Sequence, residues 1–248
     1  MPTIVHHLTH YLQPTNNSCG QAALAMLLSH YSQSVTPEDI MDALPVNLRP
    51  DGTPWGTISQ QLAGWCLDNN YDVTLHTADF QTLDVSWQSL SKANLLDQMR
   101  ASLGHHTTPA LGDDWSDMYL QSYIDFVEKG GNLHIHPYLS SRLIDSILQK
   151  SPLFVNVSFS VLYATGRGRS IGLRQSIDDD IHGITMNHSV VVYGIDENDN
   201  YIIADPWRST KHITVERELL VASIEAAQVE CDALLFYLTP RGEGHSHE

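Results

Sequence analysis

The sequence predicts an α+β fold in which an N-terminal helical part packs on a C-terminal antiparallel sheet. Residues 22–28 are apolar on every side, which is typical of a helix buried at the centre of a domain. From residue 153 onwards the pattern changes to short strand-like segments separated by turn residues. With 248 residues, of which 42% are apolar and 17% are charged, the chain is long and apolar enough to bury a sizeable core.

The helices follow from capping residues and periodicity. Ser18 is a suitable N-cap for a helix that begins at Cys19 and ends near Tyr31. Thr36 and Pro37 predict a second helix start, because acidic residues follow them in the first turn. Further helical patterns lie at about residues 57–69, 90–103, 117–129, 141–150 and 217–227.

The strands follow from alternation and short apolar runs. They are predicted at residues 71–76, 153–162, 188–195, 201–204, 212–215 and 233–238. The Asp- and Asn-rich segment 196–200 joins two of them and predicts a hairpin. Residues 163–186 show no periodicity and are predicted to be a long loop. We expect this loop to gate a site or to set specificity, with Arg167, Arg169 and Arg174 available to an acidic substrate group.

The charge balance excludes two classes of partner. Thirteen basic residues against 29 acidic ones give a formal net charge of −16, whereas binders of nucleic acid or anionic membranes need basic patches. No apolar segment approaches the roughly 20 residues of a membrane span, so we expect no membrane insertion. The first residues lack the basic start and apolar stretch of a secretory signal, which predicts a cytoplasmic protein unless another export route operates.

The cysteines and histidines limit the redox and metal chemistry. Three widely spaced cysteines, Cys19, Cys66 and Cys231, do not form a disulfide framework. We expect Cys66 and Cys231 to be buried core thiols. The histidines include pairs such as His134 and His136, but none completes a ligand set at a recognised spacing. We therefore predict neither a metal nor a cofactor.

A candidate nucleophile lies at the start of the first helix. The positive end of the helix dipole favours the thiolate form of Cys19. Gly20 lets a neighbouring segment approach closely. The side-chain amide of Gln13, six residues upstream, can lie beside the sulfur and stabilise the oxyanion formed when the thiolate attacks a carbonyl.

A candidate base and its orienting acid lie at the two ends of the predicted hairpin. His188 opens a buried strand, so its ring is held at the end of the sheet, where it can accept the thiol proton and return it to a leaving amine. Asp205 follows the next strand and can fix the tautomer of His188. Pro206 ends that strand, and Trp207 can shield the pair from water.

In this order and spacing, the motifs resemble those of the peptidase C39-like domains, a bacterial branch of the papain-like cysteine peptidases. The resemblance covers residues 11–31 and 186–207, with weaker agreement at 152–160, and includes Gly194 on the strand that His188 opens. It implies a papain-like fold and four roles: nucleophile for Cys19, general base and acid for His188, orienting acid for Asp205, and oxyanion donor for Gln13.

The resemblance also implies one domain over residues 1–248. The region of about 70–140 is longer than a compact member of the family needs, and we expect it to be an elaborated helical region. Residues 241–248 are predicted to be a flexible tail. The best-known members of the family are fused to a membrane transporter and cut leader peptides. Nothing in this sequence encodes such a transporter, so leader cleavage is not implied.

We therefore expect a cysteine peptidase or amidase that hydrolyses a peptide-like amide through a thioester acyl-enzyme. Two alternatives remain open. An acyl or aminoacyl transferase would use the same triad with an amine or thiol acceptor, because the fold does not fix the reaction. A non-catalytic module would hold a peptide in the groove, and its Cys19 would keep an ordinary thiol pKa of about 8.5. The sequence predicts neither the substrate sequence nor the oligomeric state.

Overall fold

A central β-sheet with helices on both faces organises the part of the chain that the structure describes. The structure is a computed structural model that describes residues 3–49, 52–105 and 113–242, without the side chains of 113–115. Its strands are β1 (Ile4–Val5), β2 (Asn47–Leu48), β3 (Pro54–Gly56), β4 (Tyr71–Thr77), β5 (Asn132–Ile135), β6 (Leu153–Ser158), β7 (Gly168–Gly172), β8 (Gln175–Asp178), β9 (Asn187–Ile195), β10 (Tyr201–Ala204), β11 (Ile213–Val215) and β12 (Leu234–Pro240). Its α-helices are α1 (Cys19–Ser29), α2 (Pro37–Ala43), α3 (Ser59–Asp68), α4 (Lys92–Ser102), α5 (Asp113–Glu128), α6 (Ser141–Leu148), α7 (Phe159–Tyr163) and α8 (Arg217–Ala226). The predicted α+β class is confirmed.

The central sheet is mixed rather than antiparallel. Its strands lie in the order β11-β10-β9-β6-β12-β4-β5, and β1 pairs with the end of β9. The predicted antiparallel pairing is correct from β11 to β4. Beyond it, β5 from the first half of the chain pairs parallel with β4, a pairing that the sequence pattern did not indicate. The connection between these two strands includes α4 and α5, and a long helical crossover is what parallel pairing requires.

The core lies on both faces of the sheet. Along β9, Val191 and Tyr193 pack into the cluster that holds α1, α3, α4 and α5. Val190 and Val192 face the opposite way and pack with α6 and α8. Because successive side chains of a strand point to opposite faces, a strand covered on both sides is apolar at every position. This explains the continuous run of valines in β9.

Two helix starts show different local chemistry. Thr36 caps α2 as predicted, because its Oγ1 accepts the Asp39 backbone N–H at 3.2 Å and the Asp39 carboxylate accepts the Thr36 N–H at 2.9 Å. Ser18 occupies the N-cap position of α1, but its side chain makes no capping hydrogen bond. Its Oγ instead accepts the backbone N–H of Thr15 at 2.9 Å. The predicted cap is therefore wrong in its hydrogen bond, and Ser18 stabilises the preceding turn.

Two predicted elements near the site are corrected by the structure. The strand predicted at 153–162 ends at Ser158, and α7 follows it. The last pair in the β6–β9 ladder is Ser158 with Asn187, the first residue of β9, so later residues have no partner strand. The predicted loop at 163–186 contains the hairpin β7–β8, whose turn holds Arg174 at a φ of 52°. Both strands of this hairpin are largely exposed, so they lack the apolar alternation that would have indicated them.

The region of about 70–140 contributes to the shared core as well as to the sheet. Buried Met99 of α4 and Tyr123 of α5 belong to the same cluster as α1 and α3. At the start of the predicted tail, the Arg241 guanidinium donates to Asp72 at 2.9 Å, while residues 243–248 lie outside the described residues. Among the described helices, none has both the length and the apolar character that crossing a membrane requires.

Candidate active site

Three secondary-structure elements bring the candidate triad to one end of the sheet. Cys19 is the first residue of α1, which packs across β9. His188 is the second residue of β9, and Asp205 directly follows β10. The two strands pair antiparallel, with Val191 opposite Ala204, so the start of one lies beside the end of the other. The hairpin geometry expected from the sequence therefore places the histidine and the aspartate together.

The side chains of His188 and Asp205 are hydrogen-bonded to each other, and Cys19 lines the same two cavities as His188. His188 Nε2 lies 2.6 Å from Asp205 Oδ1. Because Nε2 is engaged by the carboxylate, Nδ1 is the ring nitrogen left for the thiol of Cys19, whose pKa His188 lowers. Asp205 is fully buried and His188 is buried, whereas Cys19 is partly exposed. The sulfur is thus the member of the triad that a substrate can reach.

Further groups fix the position of the Asp205 carboxylate. The Tyr163 hydroxyl donates to Oδ2, and the Trp207 backbone N–H donates to Oδ1 at 2.7 Å. The Phe159 ring stands edge-on to His188, with centroids 5.4 Å apart. Sequence reasoning assigned Trp207 only as a shield and missed Tyr163 and Phe159 entirely. Both lie on α7, a helix that the alternation of 153–162 concealed.

The triad members shift one another's protonation. Burial by itself raises the pKa of Cys19, but the hydrogen bond and charge of His188 and the Ser189 backbone N–H outweigh it, so the thiol pKa is lowered. Burial by itself lowers the pKa of His188, but Asp205 and Cys19 outweigh it and raise the pKa to about 10. Burial opposes ionisation of Asp205, yet His188 and Tyr163 hold its pKa below the usual range. The arrangement favours a thiolate, an imidazolium and a carboxylate.

Gln13 lies at the site in a constrained conformation. Its side chain is buried and lines the same cavity as Cys19 and His188. Its backbone N–H donates to the Pro206 carbonyl at 2.9 Å, which anchors the segment beside the Asp205-Pro206 corner. One hydrogen of its amide donates to the Thr15 carbonyl at 2.6 Å, while Oε1 has no hydrogen-bond partner. The second amide hydrogen is the one left for an oxyanion.

A polar network that the sequence did not reveal lies beneath the thiol. Cys19 Sγ lies 3.9 Å from the Ser189 Oγ, which donates to Asn156 Oδ1 at 2.8 Å. Asn156 Nδ2 in turn donates to the Ser59 Oγ at 2.7 Å. The β6–β9 register places Asn156 opposite Ser189. These residues tie α3 and the two central strands to the position of the Cys19 thiol.

Two cavities adjoin the thiol, and Cys19 and His188 line both. The first measures about 310 Å³, and its wall includes Gln13, Phe159, Trp207 and Arg208. The second measures about 550 Å³, and its wall includes Arg49, Trp55, Tyr119, Glu230 and Asp232. Volumes of this size are typical of sites that hold small molecules or short peptides.

The hairpin β7–β8 forms part of the wall of both cavities. Asn16, which lies close to Cys19 in the chain, holds it by donating to the Gly172 carbonyl at 2.6 Å and to the Ser170 Oγ at 3.2 Å. Of the three arginines expected to meet a substrate, Arg169 pairs with Asp179 at 2.8 Å and Arg167 donates to the Asp180 carbonyl. The third, Arg174, lies over the Trp207 ring at 5.9 Å.

The other cysteines and the histidine pair do not line either cavity. Cys66 and Cys231 are fully buried, and burial raises the pKa of the Cys66 thiol far above its usual range. His76 of β4 meets His134 and His136, with Nδ1 of His76 lying 2.8 Å from Nε2 of His136. Burial lowers the pKa of His76 to about 3. Among the described residues, no group of three or more His, Cys, Asp and Glu side chains is arranged to hold a metal ion.

The fold and the site together define a class: an α+β chain in which a helix-borne cysteine, a strand-borne histidine and an aspartate converge on one groove. The chain matches the Peptidase_C39 like family over residues 5–227 and therefore belongs to that family, as its motifs predicted. A solved Bacillus anthracis structure, assigned as a C39-like peptidase, aligns over 97% of this chain and 99% of that chain, with 13% identity and a TM-score of 0.46. No curated protein matches the chain.

Proposed function

We propose that the chain is a cysteine peptidase or amidase of papain-like fold, which hydrolyses a peptide-like amide bond. One observation carries the proposal. Cys19 at the start of α1 and His188 line the same two cavities, and His188 Nε2 lies 2.6 Å from the buried carboxylate of Asp205. A thiolate is a nucleophile without further deprotonation, and the imidazolium beside it is the acid that a leaving amine requires.

The first half of the proposed reaction forms a thioester. The sulfur of Cys19 attacks the amide carbon, and the carbonyl oxygen becomes an oxyanion. The second amide hydrogen of Gln13 and the backbone N–H of Cys19 stabilise that charge. His188 donates its proton to the amine nitrogen, the carbon–nitrogen bond breaks, and the amine leaves. Asp205 keeps the imidazole oriented and stabilises its positive charge.

The second half returns the enzyme to its starting state. The neutral His188 takes a proton from water, which attacks the thioester carbon. The same two donors hold the second oxyanion. The carbon–sulfur bond then breaks, which releases the acid product and the thiolate. The Asp205 carboxylate accepts hydrogen bonds from the Tyr163 hydroxyl and the Trp207 backbone N–H, which keep it in place while His188 changes its charge.

The decisive experiment measures alkylation of Cys19 by iodoacetamide against pH, resolved by peptide mass spectrometry. We expect Cys19 at pH 6 to react about tenfold or more faster than free N-acetylcysteine, because the free thiol is almost fully protonated there. The variant His188→Ala should lose this advantage. Cys66 and Cys231, which are fully buried, serve as internal controls for partial unfolding. A Cys19 that reacts no faster than the free thiol, unchanged by the substitution, would exclude the catalytic pair and favour a peptide-binding module.

Hydrolysis and acyl transfer are separated in a second assay. Quenched fluorescent peptides are incubated with the protein in the presence of an added amine, and the products are identified by mass. Hydrolysis gives a carboxylic acid product at all amine concentrations. Preferential formation of an amide adduct would instead identify a transferase that uses the same triad.

A further inference from the structure

Two carboxyl groups lie in the wall of the larger cavity beside Cys19. Glu230 ends a 3₁₀ turn after α8, and Asp232 follows two residues later. Cys231 between them has a φ of 58°, which turns the chain sharply and allows both acids to reach one cavity. Glu230 Oε2 accepts the backbone N–H of Asn187 at 3.2 Å, so the pair is tied to the strand that carries His188.

Asp232 is buried and incompletely satisfied. Its side chain is only 9% exposed, and its Oδ1 has no hydrogen-bond partner. Burying a carboxylate oxygen without a partner costs several kcal/mol unless the group is neutralised or a cation is supplied. Such a group at the edge of a cavity lowers the stability of the fold. A ligand that carries a positive charge would restore that stability.

Few of the described residues in the wall of this cavity are basic and able to pair with these two acids. Its described basic wall residues are Arg49, Arg169, His182 and His188. Arg169 pairs with Asp179 and His188 pairs with Asp205, and His182 lies beside Asp179 at 3.5 Å. Arg49 lies over the Trp55 ring at 4.3 Å and is the cation that acts on Glu230. The guanidinium of Arg49 therefore acts on Glu230, the first of the two carboxyl groups.

Protonation of the two acids reduces the negative charge that the few basic residues of this wall leave unpaired. Burial raises the pKa of Glu230 to about 7, although Asn187 and Arg49 act in the opposite direction. Burial, Glu230 and Asp79 raise the pKa of Asp232 well above its usual range. Both shifts favour the protonated acids, and an incoming cation would favour the release of those protons. The thiolate of Cys19 adds to the negative charge that this cation would meet.

We propose that Glu230 and Asp232 form a subsite that selects a cationic group, an ammonium or a guanidinium, on the peptide-like substrate whose amide is attacked by Cys19. The assignment rests on the proposed function, because it places the cation on the substrate of that reaction. The side chain of Trp55 already stacks with a guanidinium, so the cavity wall suits the flat and partly apolar surface of such a group. The cation is the side chain of a basic residue or a free amino terminus.

Binding is measured first, with the variant Cys19→Ala to prevent turnover and remove the thiolate charge. Isothermal titration compares capped tripeptide amides with central lysine, arginine or norleucine, together with a norleucine peptide that has a free amino terminus. We expect about tenfold or tighter binding of a cationic peptide than of capped norleucine, with net release of protons. The capped and free peptides distinguish a side chain from an amino terminus as the source of the cation.

Substitutions then assign the preference to the acids. In the Cys19→Ala background, Asp232→Asn and Glu230→Gln should bring the ratio of lysine to norleucine binding close to one. Glu218→Gln makes the same change in charge on an exposed side chain of α8 and should leave that ratio as it was. Equal binding of lysine and norleucine peptides to the protein with both acids intact would overturn the proposal, and this comparison needs no variant of either acid to fold. A cationic preference in a protein whose Cys19 reacts slowly would instead leave the subsite standing and reject the peptidase.

Discussion

His188 Nε2 and Asp205 Oδ1 lie 2.6 Å apart, although seventeen residues separate them in the chain. The turn between β9 and β10 makes this contact possible, because it returns the chain to the end of the sheet at which β9 began. The carboxylate is fully buried, and the Tyr163 hydroxyl and the Trp207 N–H hold its two oxygens. Its negative charge is therefore fixed in place and directed at the imidazole.

Two substitutions of Asp205 distinguish the effect of its charge from its effect on the orientation of the imidazole. Asp205→Ala should reduce kcat by about 10²- to 10⁴-fold, because the imidazole loses both its orientation and its stabilising charge. Asp205→Asn should retain more activity than alanine, since its carbonyl oxygen still accepts the Nε2–H. Tyr163→Phe removes one hydrogen bond to the carboxylate and should have a smaller effect on kcat than either. A kcat equal to that of the wild type in all three variants would show that Asp205 does not orient the base.

The pH profile of kcat/KM should be bell-shaped with an unusually wide plateau. The thiolate of Cys19 exists above its lowered pKa, so activity rises with pH through that value, below the ordinary thiol range. The imidazolium exists below its raised pKa, so activity is lost as pH rises through about 10. An uncharged substrate should be used, since Glu230 and Asp232 in the adjoining cavity titrate on their own. An upper limb near 6.5 would indicate an imidazole without the support of Asp205.

Gln13→Ala should reduce kcat by about 10²- to 10³-fold, the usual cost of losing one oxyanion donor. The iodoacetamide rate constant of Cys19 should change little, because alkylation at a saturated carbon forms no oxyanion. Measuring both rates on one preparation separates the two roles that Gln13 can have. If alkylation falls in proportion to kcat, then Gln13 acts on the thiol or on the local fold rather than on the oxyanion.

Asn16→Ala should release the hairpin β7–β8 from the site. The substitution removes the hydrogen bonds to Gly172 and Ser170, worth about 1–2 kcal/mol together. Hydrogen exchange should then quicken in residues 168–178, and KM should rise more than kcat falls, because the hairpin lines both cavities. Asn17→Ala is the matched control, since Asn17 donates to the Trp55 carbonyl at 2.8 Å instead. Equal exchange in both variants would show that Asn16 does not hold the hairpin.

The candidate triad could be located in the sequence because each member lies where a strong local signal exists. Cys19 opens a helix whose residues 22–28 are all apolar, and His188 and Asp205 bracket a hairpin with a clear turn. The supporting groups had no such signal. Tyr163 reaches Asp205 across 42 residues of sequence, and Ser189 meets Asn156 only through the register of two strands. Side-chain pairing of this kind depends on which strands become neighbours, which local periodicity does not specify.

The two acids of the proposed cationic subsite were hidden for the same reason. Glu230 and Asp232 lie about 40 residues from His188 and more than 200 from Cys19, between a helix and the last strand. In the sequence they are two of 29 acidic residues in a chain of strong negative charge. Only their position in the cavity wall beside the thiol, which follows from the place of β12 next to β6, distinguishes them from a solvated surface.

The structure gives a physical reason for the glycine at position 194. The motif linked it to His188, yet it lies on β9 beside β1, where an added Cβ would stand 2.5 Å from the Ile4 carbonyl oxygen. Gly194→Ala should therefore displace β1 and reduce the free energy of unfolding by about 1–3 kcal/mol, measured by urea denaturation. Gly64→Ala is the matched control: its Cβ would meet only the Lys129 side chain at 3.8 Å, and an alanine inside α3 should stabilise by about 0.5–1 kcal/mol. If both variants gain stability, the glycine of the motif is not required for the pairing of β1, and its presence must be explained by the site itself.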